Sequence, residues 1–331
     1  MKKIIGTILK IVLVIVLCVG ALLGAVKLVG RVALAEFYEN AEAAFPTPGV
    51  HDGFVQQGFD YVEEEKAFLA AGYMTDDTAS RVCVIKEDGS TTYTQLQKAN
   101  GNDYTGHTGG VAHFGAYVYI TGSTGVDVFS YDDIISGKES TKRLGGVKTY
   151  NDPAHCYIHN GYLLVGSFYD VGKYETPDHE RMKTPSGDQN TSIITVFKLD
   201  EAFEFGIDPT PKAVISTRSQ VQGMCVTNSG KVVLSTSYGL TISQLFVYDT
   251  SDLKVEENYR FTDGEEFDFE GLKLVYLDSA SVVDVIKAPP MAEELVYLDG
   301  KIYIISESAS NKYIFGKFTS GLDVYAYSYE E

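Results

Sequence analysis

A strand-turn-strand unit recurs five times along this chain, and such recurrence restricts the fold more tightly than composition can. The copies are VQQGFDYVEEEKAFLAAGY from Val55, HTGGVAHFGAYVYITG from His107, HCYIHNGYLLVGSFY from His155, QGMCVTNSGKVVLSTSY from Gln222 and EELVYLDGKIYIISES from Glu293. Asn160 with Gly161 and Asp299 with Gly300 are dipeptides that accept the positive φ of a tight hairpin. Residues 228–230 form a three-residue variant, and Gly115 serves in the second unit. The strands after these turns, KAFLAAGY, AYVYITG, YLLVGSFY, KVVLSTSY and KIYIISES, carry too many β-branched and aromatic residues for a helix. A third strand follows in each unit: RVCVIK, VDVFSY, SIITVFKL, SQLFVYD and NKYIFGK, the last over residues 311–317.

The first strands begin near Gln57, His107, His155, Gln222 and Glu293, which are 50, 48, 67 and 71 residues apart. The longer gaps come from a polar insertion over residues 170–191 and an acidic loop over 262–270 followed by the strand LKLVYLD. Four-stranded blades have about this length, and radial closure removes exposed strand edges. The expectation is an all-β, five-bladed β-propeller; a six-bladed ring is the alternative, with a degenerate blade over 272–286. The last alternating stretch, GLDVYAYSYE, either completes the fifth blade alone or shares it with the N-terminal part.

Residues 4–26 are apolar except for Lys10, long enough to span a bilayer as one helix. Lys2 and Lys3 precede them, Lys27 and Arg31 follow, and Glu36, Glu39 and Glu42 come next, which predicts an inside N-terminus. The predicted organisation is a cytoplasmic stub and transmembrane anchor over 1–35, a stalk over 36–49 and a propeller over 50–331. The predicted address is the bacterial cytoplasmic membrane, crossed once, with the C-terminal domain extracytoplasmic. Ala33-Leu34-Ala35 has the form of a signal peptidase site, but two cations separate it from the apolar run, so an uncleaved anchor is expected. Leu17 before Cys18 argues against lipidation.

The formal charge is −18, and the five cations of residues 1–35 leave −23 on the remainder. That surface repels phosphate backbones, so nucleic acid is excluded as a partner. Beyond Cys18, an odd set of Cys83, Cys156 and Cys225 argues for buried free thiols over a disulfide framework. Phosphate-binding glycine loops, a CxxC pair and a GxSxG elbow are absent from the sequence.

The segments Gln57-Gly58, His107 to Gly110, Ala154 to Cys156 before Gly161-Tyr162, Gln222 to Met224 before Ser237 to Gly239, and Pro290 to Glu293 before Ser306 to Ala309 resemble a family of bacterial exported or membrane-anchored β-propeller proteins. The match extends over most of residues 50–330. It implies the fold and adds no chemistry.

In a propeller the first strands line the channel, so residues at corresponding starts converge at one mouth. The candidate ligand-binding set is therefore Gln57, His107, His155, Gln222, Glu293 and Glu294, although period 2 prevents adjacent residues from all facing the axis. One reading makes these polar groups a channel filling that satisfies itself and trapped water. A second is a pocket for a small ligand, glycan or protein partner, with Tyr119, Tyr157, Tyr169, Tyr238 and Tyr303 as candidate aromatic surface. A third places a divalent metal on His107, His155 and Glu293 for hydrolysis of an ester, lactone or phosphate. The functional expectation is an extracytoplasmic, membrane-tethered propeller that binds a ligand or protein partner, with the metal-dependent hydrolase as the alternative. The 262–270 loop reads as a solvated acidic turn, and the 170–191 insertion as a specificity element over the mouth.

Overall fold

The computed structural model describes residues 2–313, 316 and 321–329. Five sheets stand around one axis as a five-bladed β-propeller, preceded by one long N-terminal helix. The innermost strands are Phe54–Val62, Val111–Phe114, Pro153–His159, Val221–Val226 and Ala292–Leu298; each touches the next, and the fifth touches the first. Glycine lets them approach. A Cβ at Gly110 would lie 2.3 Å from the Cys156 nitrogen, and one at Gly58 would lie 2.7 Å from that of Val111, so blades 1, 2 and 3 meet backbone to backbone. The hairpins that join inner to second strands form where the dipeptides predicted them, with φ of 49° and 77° at Asn160 and Gly161 and of 49° and 76° at Asp299 and Gly300.

The extra length of the fourth unit does not become a sixth blade. Lys254–Thr262 and Asp268–Tyr276 form a hairpin whose second strand runs parallel to Ile207–Thr217, widening blade 3 to six strands. Phe261, Leu272 and Leu274 supply the cause, packing on Ile193 and Val214 of that blade. The chain then returns through Val282–Ala288 as the outer strand of blade 4.

Blade 5 is closed by both ends of the chain: Ala41–Pro46 pairs antiparallel with Asp323–Ser328, which pairs with Lys301–Ser306. Residues 36–49, expected as a stalk, thus supply the outermost strand of a blade. The 311–317 segment, expected as the third strand here, lies partly outside the described residues; Asp323–Ser328 holds that position. Cys83, Cys156 and Cys225 are buried free thiols.

The N-terminal helix, Lys2–Ala33, contains a 29-residue stretch, Ile5–Ala33, whose most apolar 18 residues have a mean hydropathy of 2.8, long and apolar enough to cross a membrane. At 1.5 Å per residue it measures roughly 43 Å against a hydrocarbon core of about 30 Å. Its end is docked. Leu34, together with Phe37 of the short helix Ala35–Asn40, is buried among Leu245, Val247 and Ile286 of blade 4 and Leu295, Ile302 and Tyr327 of blade 5. Strand register fixes where the helix joins. Ala41 lies opposite Tyr327, at the end of the blade where Leu298 meets Lys301 in the hairpin; Pro46 lies opposite Asp323, at the end where Ala292 pairs with Ser306. The helix therefore joins the hairpin face of the propeller, and the inner strands begin on the opposite face.

Candidate functional site

On that opposite face a cavity of about 820 Å³ opens over the channel. Inner strands of four blades supply its floor: Gln57 from blade 1, Pro153 and Ala154 from blade 3, Gln222 from blade 4 and Glu293 from blade 5, with His107 contributed by the segment leading into blade 2. These four expected residues are brought together. The Gln57 Oε1 lies 3.1 Å from His107 Nδ1, and the Gln222 amide donates to Glu293 Oε1 at 3.5 Å. The imidazole of His107 packs at a 45° tilt against Tyr73, with ring centroids 4.6 Å apart. Burial, then the neighbouring Lys312 ammonium, holds its pKa below the usual histidine value.

Glu293 has a neighbour that the strand alignment did not reveal. Glu307 follows the second strand of blade 5, its backbone N–H donating to the Met291 carbonyl at 3.2 Å, and both carboxyls line the cavity while almost wholly buried. Burial pushes both pKa values up, and for Glu293 the charge of Glu307 adds to this. Two carboxyls held in one low-dielectric site resist simultaneous ionisation, so the pair retains a proton where a free glutamate would not. Gln222 bonds to one member and Tyr313 to the other.

Glu294 has a different task. Successive residues of a strand point to opposite sides, and with Glu293 in the cavity Glu294 turns into the ring. Its Oε2 accepts the backbone N–H groups of Phe59 at 2.7 Å and Val111 at 3.2 Å, and its Oε1 accepts that of Cys156 at 3.1 Å. One carboxylate of blade 5 thereby satisfies inner strands of blades 1, 2 and 3. Burial pushes its pKa up, and the three N–H donors pull against that by favouring the anion. It does not line the cavity.

His155 also lies away from the cavity. Its ring is fully buried over Gly166, where a Cβ would come within 2.1 Å of it, and among the described residues neither ring nitrogen has a hydrogen-bond partner. The expected metal set of His107, His155 and Glu293 is therefore not assembled, and no group of three or more His, Cys, Asp or Glu among the described residues could hold a metal ion. Pro153–His159 carries the same bulge as the inner strands of blades 1 and 4, and its bulged residue, the counterpart of Gln57 and Gln222, is Ala154, which lines the cavity; His155 lies one residue further along, at the place of Gly58 and Gly223, and points the other way.

Burial without partners depresses the His155 pKa to about 3 from 6.5. The unfolded chain then takes up a proton below pH 6.5 that the folded protein refuses until about pH 3, so stability falls with pH across that window. At pH 5 the loss is about 2 kcal/mol. His155→Met should remove that part of the decline, read as the difference in urea unfolding free energy between pH 7 and pH 5; an undiminished decline would mean that the imidazole is charged in the folded protein.

Above the floor, the walls come from loops. The 170–191 insertion brings Lys173 and Tyr174, and Lys312 and Tyr313 come from the segment after Glu307. Of the five tyrosines expected as aromatic surface, Tyr238 lines the cavity. Tyr119 is core, its hydroxyl donating to the Phe205 carbonyl at 2.8 Å; Tyr157 accepts from the Val226 N–H at 3.4 Å. Tyr169 lies under Arg181 and Tyr303 against Phe68. The acidic loop is a self-contained turn in which Asp263 Oδ1 accepts from the N–H groups of Glu265, Glu266 and Phe267. Lysine and tyrosine in surface loops carry no periodic signal, so only the folded chain identifies Lys173, Lys312 and Tyr313 as cavity residues.

No family model matches the chain, and no curated protein sequence matches it. Solved structures do. A PQQ-bound aldose sugar dehydrogenase from Streptomyces coelicolor is 11% identical with a TM-score of 0.43, over 86% of this chain and 95% of that one. A putative gluconolactonase is 12% identical with a TM-score of 0.38, over 88% and 94%. BamB from Moraxella catarrhalis is 10% identical with a TM-score of 0.33, over 84% of each chain. At these values no ligand or activity transfers to this chain, and the β-propeller part of the sequence resemblance is what its own strand topology bears out.

Proposed function

We propose that this protein is a bacterial, singly tethered, extracytoplasmic binding protein whose ligand occupies the channel-mouth cavity. The observation that carries this reading is the cavity's composition and position. Convergent amides, an imidazole and two protonation-prone carboxyls lie at the base of a concavity of ligand size, on the face opposite the one that the apolar helix joins. With the helix in a bilayer, that cavity faces away from the membrane and open to solutes or surface polymers.

Full-length protein in detergent micelles should be stabilised by at least one class in a panel of neutral sugars, sugar acids, amino acids, short peptides and nucleotides. A ligand at a hundred times its Kd adds about 2.7 kcal/mol, visible as a melting-temperature rise of a few degrees. Thr105→Trp places a large ring in the mouth at an exposed position and should abolish that rise. A panel without any effect, or an effect unchanged in the variant, rejects the cavity as the site. The Glu293 and Glu307 pair also supports a second reading, hydrolysis by carboxyl acid–base chemistry in place of a bound metal; its sign would be turnover of a bound ligand that Glu293→Gln abolishes while binding persists.

A further inference from the structure

Three lysines converge on the cavity of a domain that is otherwise strongly acidic. Lys98, Lys173 and Lys312 all line it, and among the described residues none of them is within ion-pair distance of a carboxylate. Two are held instead by tyrosines. The Lys173 ammonium donates to the Tyr238 hydroxyl at 2.6 Å and sits 5.0 Å from the centre of that ring. The Lys312 ammonium donates to the Tyr73 hydroxyl and lies 4.8 and 5.2 Å from the rings of Tyr73 and Tyr313. A lysine set by a phenol and a ring face keeps its full charge and spare donors for a ligand.

The acids of the cavity do not cancel these charges. Asp127 is bound by Arg143 and by the Tyr104 hydroxyl, the latter at 2.7 Å. Burial raises the pKa of Asp152, as it does for Glu293 and Glu307, and so disfavours their charge. Glu307 acts on Lys312 through space without an ion pair. The result is a cationic rim above a floor of neutral donors and acceptors, inside a domain whose remaining surface repels anions.

Resting on the cavity reading above, we propose that the ligand is a sugar acid, its carboxylate held at the rim by Lys173 and Lys312 and its hydroxyls by Gln57, Gln222, Glu293 and Glu307. A monoanion fits this site better than a phosphate. Among the described residues no arginine lines the cavity to grip a phosphate in bidentate fashion. A protonated carboxyl both donates and accepts, as do the glutamine amides, which suits a ring carrying several hydroxyls. Phe168 and Tyr238, with ring centroids 6.3 Å apart, offer apolar faces for the ring's C–H edges.

The test is calorimetric titration of the full-length protein in micelles with D-glucuronate and D-glucose, which share a ring and differ at the carboxylate. Glucuronate should bind at least tenfold more tightly, and raising salt from about 50 to about 300 mM should erode that advantage. Lys173→Gln with Lys312→Gln should abolish the preference. Both side chains are exposed, so the melting temperature should stay within about 2 °C, and Lys173→Gln alone serves if the pair does not fold. Equal affinities, tighter glucose binding or a preference that survives the substitutions overturns the proposal. If neither sugar binds while a peptide or nucleotide stabilises the protein through the cavity, the sugar-acid proposal falls and the cavity reading stands; if nothing in the panel binds, both fall.

Discussion

Glu294→Ala is expected to lower the unfolding free energy of the propeller by about 4 kcal/mol, because three buried backbone N–H groups lose a carboxylate acceptor at once. An unsatisfied buried donor costs about 1–3 kcal/mol, and the release of a desolvated carboxylate returns part of the sum. The conservative change separates charge from geometry. In Glu294→Gln the amide oxygen can still serve Phe59 and Val111, while the NH₂ group opposes the Cys156 N–H, so about half of the loss should remain. Both are read from urea unfolding of the full-length protein. A loss below about 1 kcal/mol for alanine would mean that water replaces the carboxylate and that Glu294 is a filling group, not the tie between four blades.

A chain that begins at Val50 is expected not to fold as a propeller, whereas one that begins at Leu34 should. The shorter chain lacks Ala41–Pro46, leaving Asp323–Ser328 as an unpaired edge, and it lacks Leu34 and Phe37, both buried at the junction of blades 4 and 5. Removing one buried Phe side chain alone costs about 3–5 kcal/mol. Losing it together with Leu34 and a whole strand removes most of a typical domain's margin of about 5–15 kcal/mol. Circular dichroism and size-exclusion chromatography would report aggregation or lost β signal for the Val50 chain. A monomeric, cooperatively melting Val50 chain would show that blade 5 closes without the N-terminal strand. The same docking bears on processing: a cut after Ala35 would detach Leu34 from a folded core.

The candidate site was legible in part, and the parts that failed share a cause. Aligning the units on their hairpins identified Gln57, His107, Gln222 and Glu293 as convergent, and they do line one cavity. The same alignment treated His155 as equivalent to them, and Glu294 was added as the neighbour of Glu293. His155 lies one residue beyond Ala154, the structural counterpart of Gln57 and Gln222, and Glu294 one beyond Glu293, so both side chains turn elsewhere, since one residue of displacement reverses direction in a strand. The 170–191 insertion was expected over the mouth and Ser306 to Ala309 stood out as a motif, but neither singled out Lys173 or Glu307, and Lys312 was placed on a strand, because which side chains reach the cavity depends on how those segments fold over it.

What the sequence determined by itself was local: hairpins whose turns take positive φ, two of them as Asn-Gly and Asp-Gly dipeptides, inner strands with glycine at three of their contacts, an apolar N-terminal helix and buried free thiols. These follow from steric limits and periodicity, which act over a few residues. The tertiary structure decided what long-range pairing controls. The Ala41–Pro46 segment became a blade strand, residues 254–276 joined blade 3, and Glu294 bridged to backbones 138 to 235 residues away in sequence. Each outcome depends on an exposed edge or an unsatisfied donor finding its partner in space, and no window of sequence contains both.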